Sequence, residues 1–307
     1  MHRLEYRIGG TDQGLSVEQF LRKNGCSGRL IVALKQTPDG LVQNGARTRS
    51  TAVLYEGDLL EITLPQGTSS AVHNPSLRVP VLYEDEDLVV YSKPAGMPCH
   101  RSGGHLDDTL ENAFEAGTFR AMFRLDRDTS GAILVAKHQL AAGRLWRRID
   151  KIYLAVVTGW PVPPDGTIEL SLERETAYAP KQIVTPDGKP ARTRYATLAR
   201  GDNCALLECR LDTGRMHQIR AHLAQLGHPL LGDALYGGAT DRMARQALHC
   251  ASLRLTHPMT GKELFVQAPP PEDFSALLEN CGITYQQERS VIDGKNKVDC
   301  RLNTEKE

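Results

Sequence analysis

Residues 123–135 read FRLDRDTSGAILV, so four charged side chains, Arg124, Asp126, Arg127 and Asp128, run through a Thr-Ser-Gly turn straight into an apolar segment. Charge beside a core strand is costly unless it is paired. The segment therefore belongs at the mouth of a buried strand, as a structural ion-pair network or as a carboxylate acid/base site. If it is extended, Arg124, Asp126 and Asp128 share one face while Leu125 and Arg127 take the other. Asp128, Thr129 and Ser130 are turn and capping residues that can close a tight loop before the strand, which leaves Asp126 unexplained.

Other short segments rich in apolar or β-branched residues, each bounded by turn residues, follow the same pattern: IYLAVVTG, TRYATL, CALLECRL and ELFVQA. VPVLYEDEDLVVYS reads as two strands around an acidic turn, and DDTLENAF as a helix start with Asp108 and Glu111 at cap spacing. Few helices separate the strands, so the fold class expected is α+β, with a mixed, largely antiparallel sheet.

At 307 residues the chain suits two domains of about 100–200 residues each. Residues 1–65 form a small α/β unit: a strand through Leu4 and Ile8, a helix capped by Ser16 and Gln19, a second helix capped by Ser27, and a hairpin at Asn44-Gly45. Arg22, Lys23, Arg29, Lys35, Arg47 and Arg49 stud this unit, as an RNA-binding face or a solvated surface. Residues 66–75, QGTSSAVHNP, read as a linker, residues 76–282 as the main domain, and 283–307 as a polar tail.

No apolar run reaches the roughly 20 residues of a membrane span, and the N-terminus lacks a secretory pattern, so a cytoplasmic location is expected. Seven cysteines without a C-x-x-C pair speak against a disulfide framework or zinc site. Formal net charge is zero, so any nucleic-acid role must rest on local basic clusters.

A second constellation lies in LDTGRMHQIRAHLAQLGHPLLGD, residues 211–233, where Met216, Ile219, Leu223 and Leu226 sit at helical spacing. Arg215, His217, Gln218, Arg220 and His222 lie off that stripe, at a helix start suited to phosphate or to a carboxylate in a cleft. His217 and His222 are wrongly spaced to share a metal on a helix, and Arg220 is a natural partner for Asp126. In KIYLAVVTG, Lys151 and Tyr153 share one strand face, where the tyrosine can be an ordinary core residue.

Together these segments resemble the RluA family of RNA pseudouridine synthases. RLDRDTSG stands where that family has its central signature, YEDEDLVVYSKPAGMPCH resembles its opening strand pair, and KIYLAVVTG its tyrosine strand. TGRMHQIRAHLAQLGHPLLGDALYG resembles its basic helix, and LHCASLRLTHPMTGKELFVQAPPPEDF its closing segment, so the likeness spans residues 76–275. The first unit resembles the alpha-L RNA-binding module that often precedes this domain. One departure is Phe123, where many relatives carry histidine.

The resemblance implies a catalytic domain built around a central cleft, and an isomerase that detaches uracil from ribose, rotates it and rejoins it through carbon 5. It needs no cofactor or metal. Asp126 would be the essential carboxylate, as nucleophile on the sugar or as base at the ribose; Arg220 would pair with it, favouring the ionised form. Tyr153 would stack on the uracil and assist proton removal at carbon 5. Arg124 would enter the space left by the flipped nucleotide, and Arg127, Arg215 and His217 would contact RNA. Large-subunit ribosomal RNA is the favoured substrate, transfer RNA the alternative, and a monomer the default. Rival readings are a glycoside-type hydrolase using Asp126 with Asp128, and an RNA-binding protein without the reaction.

Overall fold

The computed structural model describes residues 2–65, 67, 71–145 and 148–285. The first unit is a four-stranded sheet of β1 (His2–Arg7), β2 (Leu41–Gln43), β3 (Ala46–Arg47) and β4 (Leu59–Leu64), ordered β1-β4-β2-β3. Two helices, α1 (Val17–Lys23) and α2 (Gly28–Gln36), cover it. Ser16 and Gln19 form a reciprocal capping box and Ser27 caps α2, which supplies partners for N–H groups that a helix start leaves open. Asn44 and Gly45 both hold positive φ, 54° and 78°, in the two-residue turn between β2 and β3, the geometry a tight hairpin requires.

The chain continues through β5 (Val81–Glu84), β6 (Leu88–Lys93), α3 (Leu110–Ala113), β7 (Ser130–Ala136), α4 (Gln139–Leu145), β8 (Ile149–Thr158), β9 (Asp165–Glu169), β10 (Leu172–Arg174) and β11 (Gln182–Val184). After these come β12 (Arg192–Gly201), β13 (Cys204–Leu211), α5 (Gln218–Gln225), β14 (Leu248–Thr256), β15 (Glu263–Gln267) and α6 (Glu272–Asn280). Among the described residues the large sheet has nine strands, ordered β5-β6-β7-β14-β8-β13-β12-β9 with β15 on β14; only β7 and β14 pair in parallel. This is the α+β, largely antiparallel architecture expected. β10 and β11 form a separate hairpin.

β14 sets the site. It lies between β7 and β8, and Cys250 pairs with Gly131 on one side and Tyr153 on the other. That register brings the segment ending in Ser130-Gly131 opposite the tyrosine strand. Gly131 has φ 113°, and a Cβ there would lie 2.2 Å from the Cys250 carbonyl oxygen, so only glycine allows the two strands to approach this closely.

The two units touch. Leu140 of α4 is buried within the core of the first unit, and Arg144 donates to the Asn24 carbonyl at 2.9 and 2.7 Å. Three basic residues of the first unit are ion-paired, Arg22 with Glu18, Lys23 with Asp12 and Lys35 with Glu18, which lessens the positive face expected there.

Two local expectations need correction. The cap of α3 is Thr109 with Asn112 rather than Asp108 with Glu111; Asp108 instead faces His105 at 2.7 Å. Ile283 is buried in the core beneath α6, so the polar stretch expected from 283 starts later, and residues 286–307 lie outside the described residues, as do Trp146 and residues 66 and 68–70 of the expected linker.

Candidate active site

Asp126 occupies an irregular segment just before β7. The peptide N–H of Thr129 donates to the Asp126 carbonyl at 3.1 Å, closing a turn that ends the extended run. The alternation expected for Arg124, Asp126 and Asp128 therefore stops at Asp126. Asp128 turns to Arg127, which donates to it at 2.9 and 3.1 Å. The backbone on either side of Asp126 is held from the 93–99 loop. Lys93 donates to the Arg127 carbonyl at 2.9 Å, and the Cys99 sulfur lies 3.2 Å from the Leu125 carbonyl and 3.4 Å from its N–H.

Lys93 is almost wholly buried, and its ammonium also donates to the carbonyls of Pro94 and Met97, each at 2.8 Å. Three carbonyls satisfy its three donors. Burial nevertheless pushes its pKa down to about 8, since desolvation disfavours the charged form.

Arg220 on α5 supplies the cation. Its Nη1 lies 3.1 Å from Asp126 Oδ2, while Nε and Nη2 form a two-pronged pair with Asp233 at 2.7 and 2.8 Å. Its guanidinium also sits over the Tyr236 ring, 5.1 Å from the centroid. Asp233 is buried, and a buried carboxylate needs such a partner. Sequence reasoning missed Asp233; the available signal was a single acid following the apolar run HPLLG.

The start of α5 differs from the expected stripe. His217 precedes the helix with left-handed backbone, φ 52° and ψ 23°, so Met216 lies before the helix and Leu226 is exposed. Gln218 is buried, accepting from the Thr213 hydroxyl and the Arg215 N–H and donating to the Arg192 carbonyl. His222 spends both ring nitrogens on Thr193 and the Leu170 carbonyl, at 2.9 and 3.0 Å, which makes it a structural residue.

Asp126, Tyr153, His217 and Arg220 line one small cavity of about 50 Å³ with Arg124 and Arg215, space on the scale of one or two waters. Arg124 and Arg215 are exposed, whereas Tyr153 is 5% exposed. Burial first, then nearby Cys250 and Asp126, pushes the Tyr153 phenol well above its usual pKa, so it is a neutral ring at neutral pH. Arg127 points to Asp128 rather than into the cavity.

A larger cavity of about 430 Å³ lies between the units, lined by His2, Leu64, Glu86, Lys137 and His138 among others, and shares none of these site residues. Two nearby groups, His2/Asp87/His138 and Asp85/Asp87/His257, have atoms at metal-ligand spacing. His138 Nδ1 accepts the Ala141 N–H, and His257 Nδ1 accepts those of Met259 and Thr260. Each ring thus carries its proton on Nε2, aimed at Asp87 and Asp85 respectively, and offers no lone pair there. These are hydrogen-bond clusters.

The family model described as RNA pseudouridylate synthase matches residues 87–225. The RNA pseudouridine synthase YlyB of Bacillus subtilis, itself uncharacterised, is 37% identical over 91% of this chain and 98% of its own length. Ribosomal large subunit pseudouridine synthase D of Nitrosomonas europaea is 35% identical over 74% of this chain and 72% of its own length. Among solved structures, human RNA pseudouridylate synthase domain containing 1 aligns with TM-score 0.53 at 30% identity, covering 63% of this chain and 84% of its own.

Proposed function

The chain belongs to the RluA family of RNA pseudouridine synthases, which makes it an isomerase of uridine in RNA, and on that premise we propose that its substrate is large-subunit ribosomal RNA and that Asp126 carries the reaction. The observation that supports Asp126 most is its carboxylate, held 3.1 Å from Arg220 in the cavity that Tyr153 also lines. The reaction is an isomerisation, so bonds broken and formed balance without an external reagent. Asp126 acts on the ribose, as nucleophile or as base, and both routes use its carboxylate.

Tyr153 offers a ring face for the uracil. Its raised pKa favours stacking over proton abstraction, because a base needs the phenolate that burial disfavours. Arg124 and Arg215 stand exposed at the rim, placed to take the gap left by a flipped nucleotide and to meet phosphate. Arg127, exposed beside Asp128, adds an RNA contact outside the cavity, and His217 a contact within it. The first unit, separated from the isomerase domain at residues 66–75, is a further RNA-binding module. The protein works as a monomer in the cytoplasm.

The ribosomal target is favoured by the relatives named as large-subunit enzymes. Purified large-subunit ribosomal RNA and bulk transfer RNA, both labelled with tritium at carbon 5 of uridine and taken from cells lacking this protein, separate the targets. Release from the ribosomal RNA alone is the expected result; release from transfer RNA alone assigns the other substrate.

A further inference from the structure

Tyr236 and His217 make a contact that the reading above leaves without a purpose. Tyr236 ends the short turn Ala234–Tyr236 that follows Asp233, and its phenol oxygen accepts the Gln182 N–H at 2.8 Å. A peptide N–H only donates, so the phenolic proton is directed elsewhere. His217 Nδ1 lies 3.2 Å away, with the two rings edge to face at 5.8 Å. Tyr236 can thus donate to Nδ1, which leaves the neutral imidazole its own proton on Nε2.

That Nε2 is 3.8 Å from Asp126 Oδ2, the same oxygen that Arg220 reaches at 3.1 Å. Burial pulls the imidazole pKa below its ordinary value, with Asp126 pulling partly back, so the neutral ring prevails at neutral pH. The left-handed backbone of His217, φ 52°, is uncommon for a side-chain-bearing residue, and such conformations persist where the surroundings hold them.

We propose that His217, its tautomer set by Tyr236, is a positioning residue whose Nε2–H closes onto Asp126 Oδ2 when RNA binds, fixing the carboxylate between two donors. The contact needs to shorten by about 1 Å to reach hydrogen-bond length, and active-site bonds that are long in the free enzyme commonly tighten in the complex. The inference rests on Asp126 being the reaction's carboxylate.

Two substitutions separate a donor from a backbone role. Glutamine can place an amide N–H where Nε2 stands, whereas asparagine reaches only the Nδ1 position. Asparagine, however, is much the better of the two at left-handed backbone. A donor role ranks His217→Gln above His217→Asn, and a backbone role ranks them the other way.

The measurement is the single-turnover rate with enzyme in excess, alongside RNA affinity, for wild type, His217→Gln, His217→Asn, Tyr236→Phe and Asp126→Ala. Expected are a loss of about tenfold or more in the asparagine variant, as for removal of one positioned donor, a glutamine variant within a few-fold of wild type, a partial loss in Tyr236→Phe, and any loss of RNA affinity smaller than the loss in rate. An asparagine variant equal to or faster than the glutamine one overturns the proposal, as does a loss of RNA affinity that accounts for the rate. If Asp126→Ala stays active, the reading of Asp126 fails; if it is inactive while the asparagine variant is fully active, only the role of His217 fails.

Discussion

Arg220 gives Asp126 a single hydrogen bond, 3.1 Å long, from Nη1. Its other two hydrogen bonds go to Asp233, which is buried. The same guanidinium thus serves the carboxylate proposed to react and a structural one, and the two roles separate under mutation.

As a partner of Asp126 alone, Arg220 would matter to catalysis more than to folding. The pair with Asp233 changes that expectation, because removing one partner of a buried ion pair costs about 3–5 kcal/mol. Arg220→Ala is therefore expected to lower Tm markedly as well as activity. Arg220→Lys keeps the charge but not the planar fork, so it should remain folded while losing about 100-fold or more in rate. Thermal melts and single-turnover rates on both variants check this, and an Arg220→Lys enzyme of wild-type rate would show that the fork geometry is dispensable.

Asp128→Asn tests the paired-carboxylate reading. Asp128 faces Arg127 in a largely exposed pair, and such pairs contribute about 0–1 kcal/mol. Activity should stay within a few-fold of wild type and Tm should hardly move. Loss of activity comparable to that of an Asp126 variant would restore the hydrolase-like pairing.

Lys93 gives stability a pH signature. Its folded pKa lies near 8, against 10.5 for the ordinary side chain. Between those values the unfolded chain binds more protons than the folded one, so stability rises as pH increases across that window. Lys93→Met removes this group. Denaturant unfolding of wild type should show a steeper rise from about pH 8 toward pH 10 than the variant does; identical profiles would mean that Lys93 titrates as an ordinary lysine.

Much of this was legible in the sequence, for local reasons. Short apolar runs bounded by turn residues marked the strands, and Ser16 with Gln19, and Asn44 with Gly45, carry their geometry in adjacent residues. Asp126 and Arg220 stood out as charges beside apolar runs that needed partners. What was missed depends on contacts between distant segments. The parallel pairing of Ser130 with His249 leaves no periodicity to read. The phase of α5 is reset by the left-handed backbone at His217 and by the buried bonds of Gln218. Asp233 gains its meaning only where Arg220 meets it.

The most direct test compares wild type with Asp126→Ala for tritium release from RNA labelled at carbon 5 of uridine and prepared from cells lacking this protein. Asp126 has a partly exposed side chain with Arg220 as its nearest cation, so the variant should stay folded, which its thermal melt verifies. The account predicts release by wild type and none above background by folded Asp126→Ala. Release by the variant at the wild-type rate would contradict it.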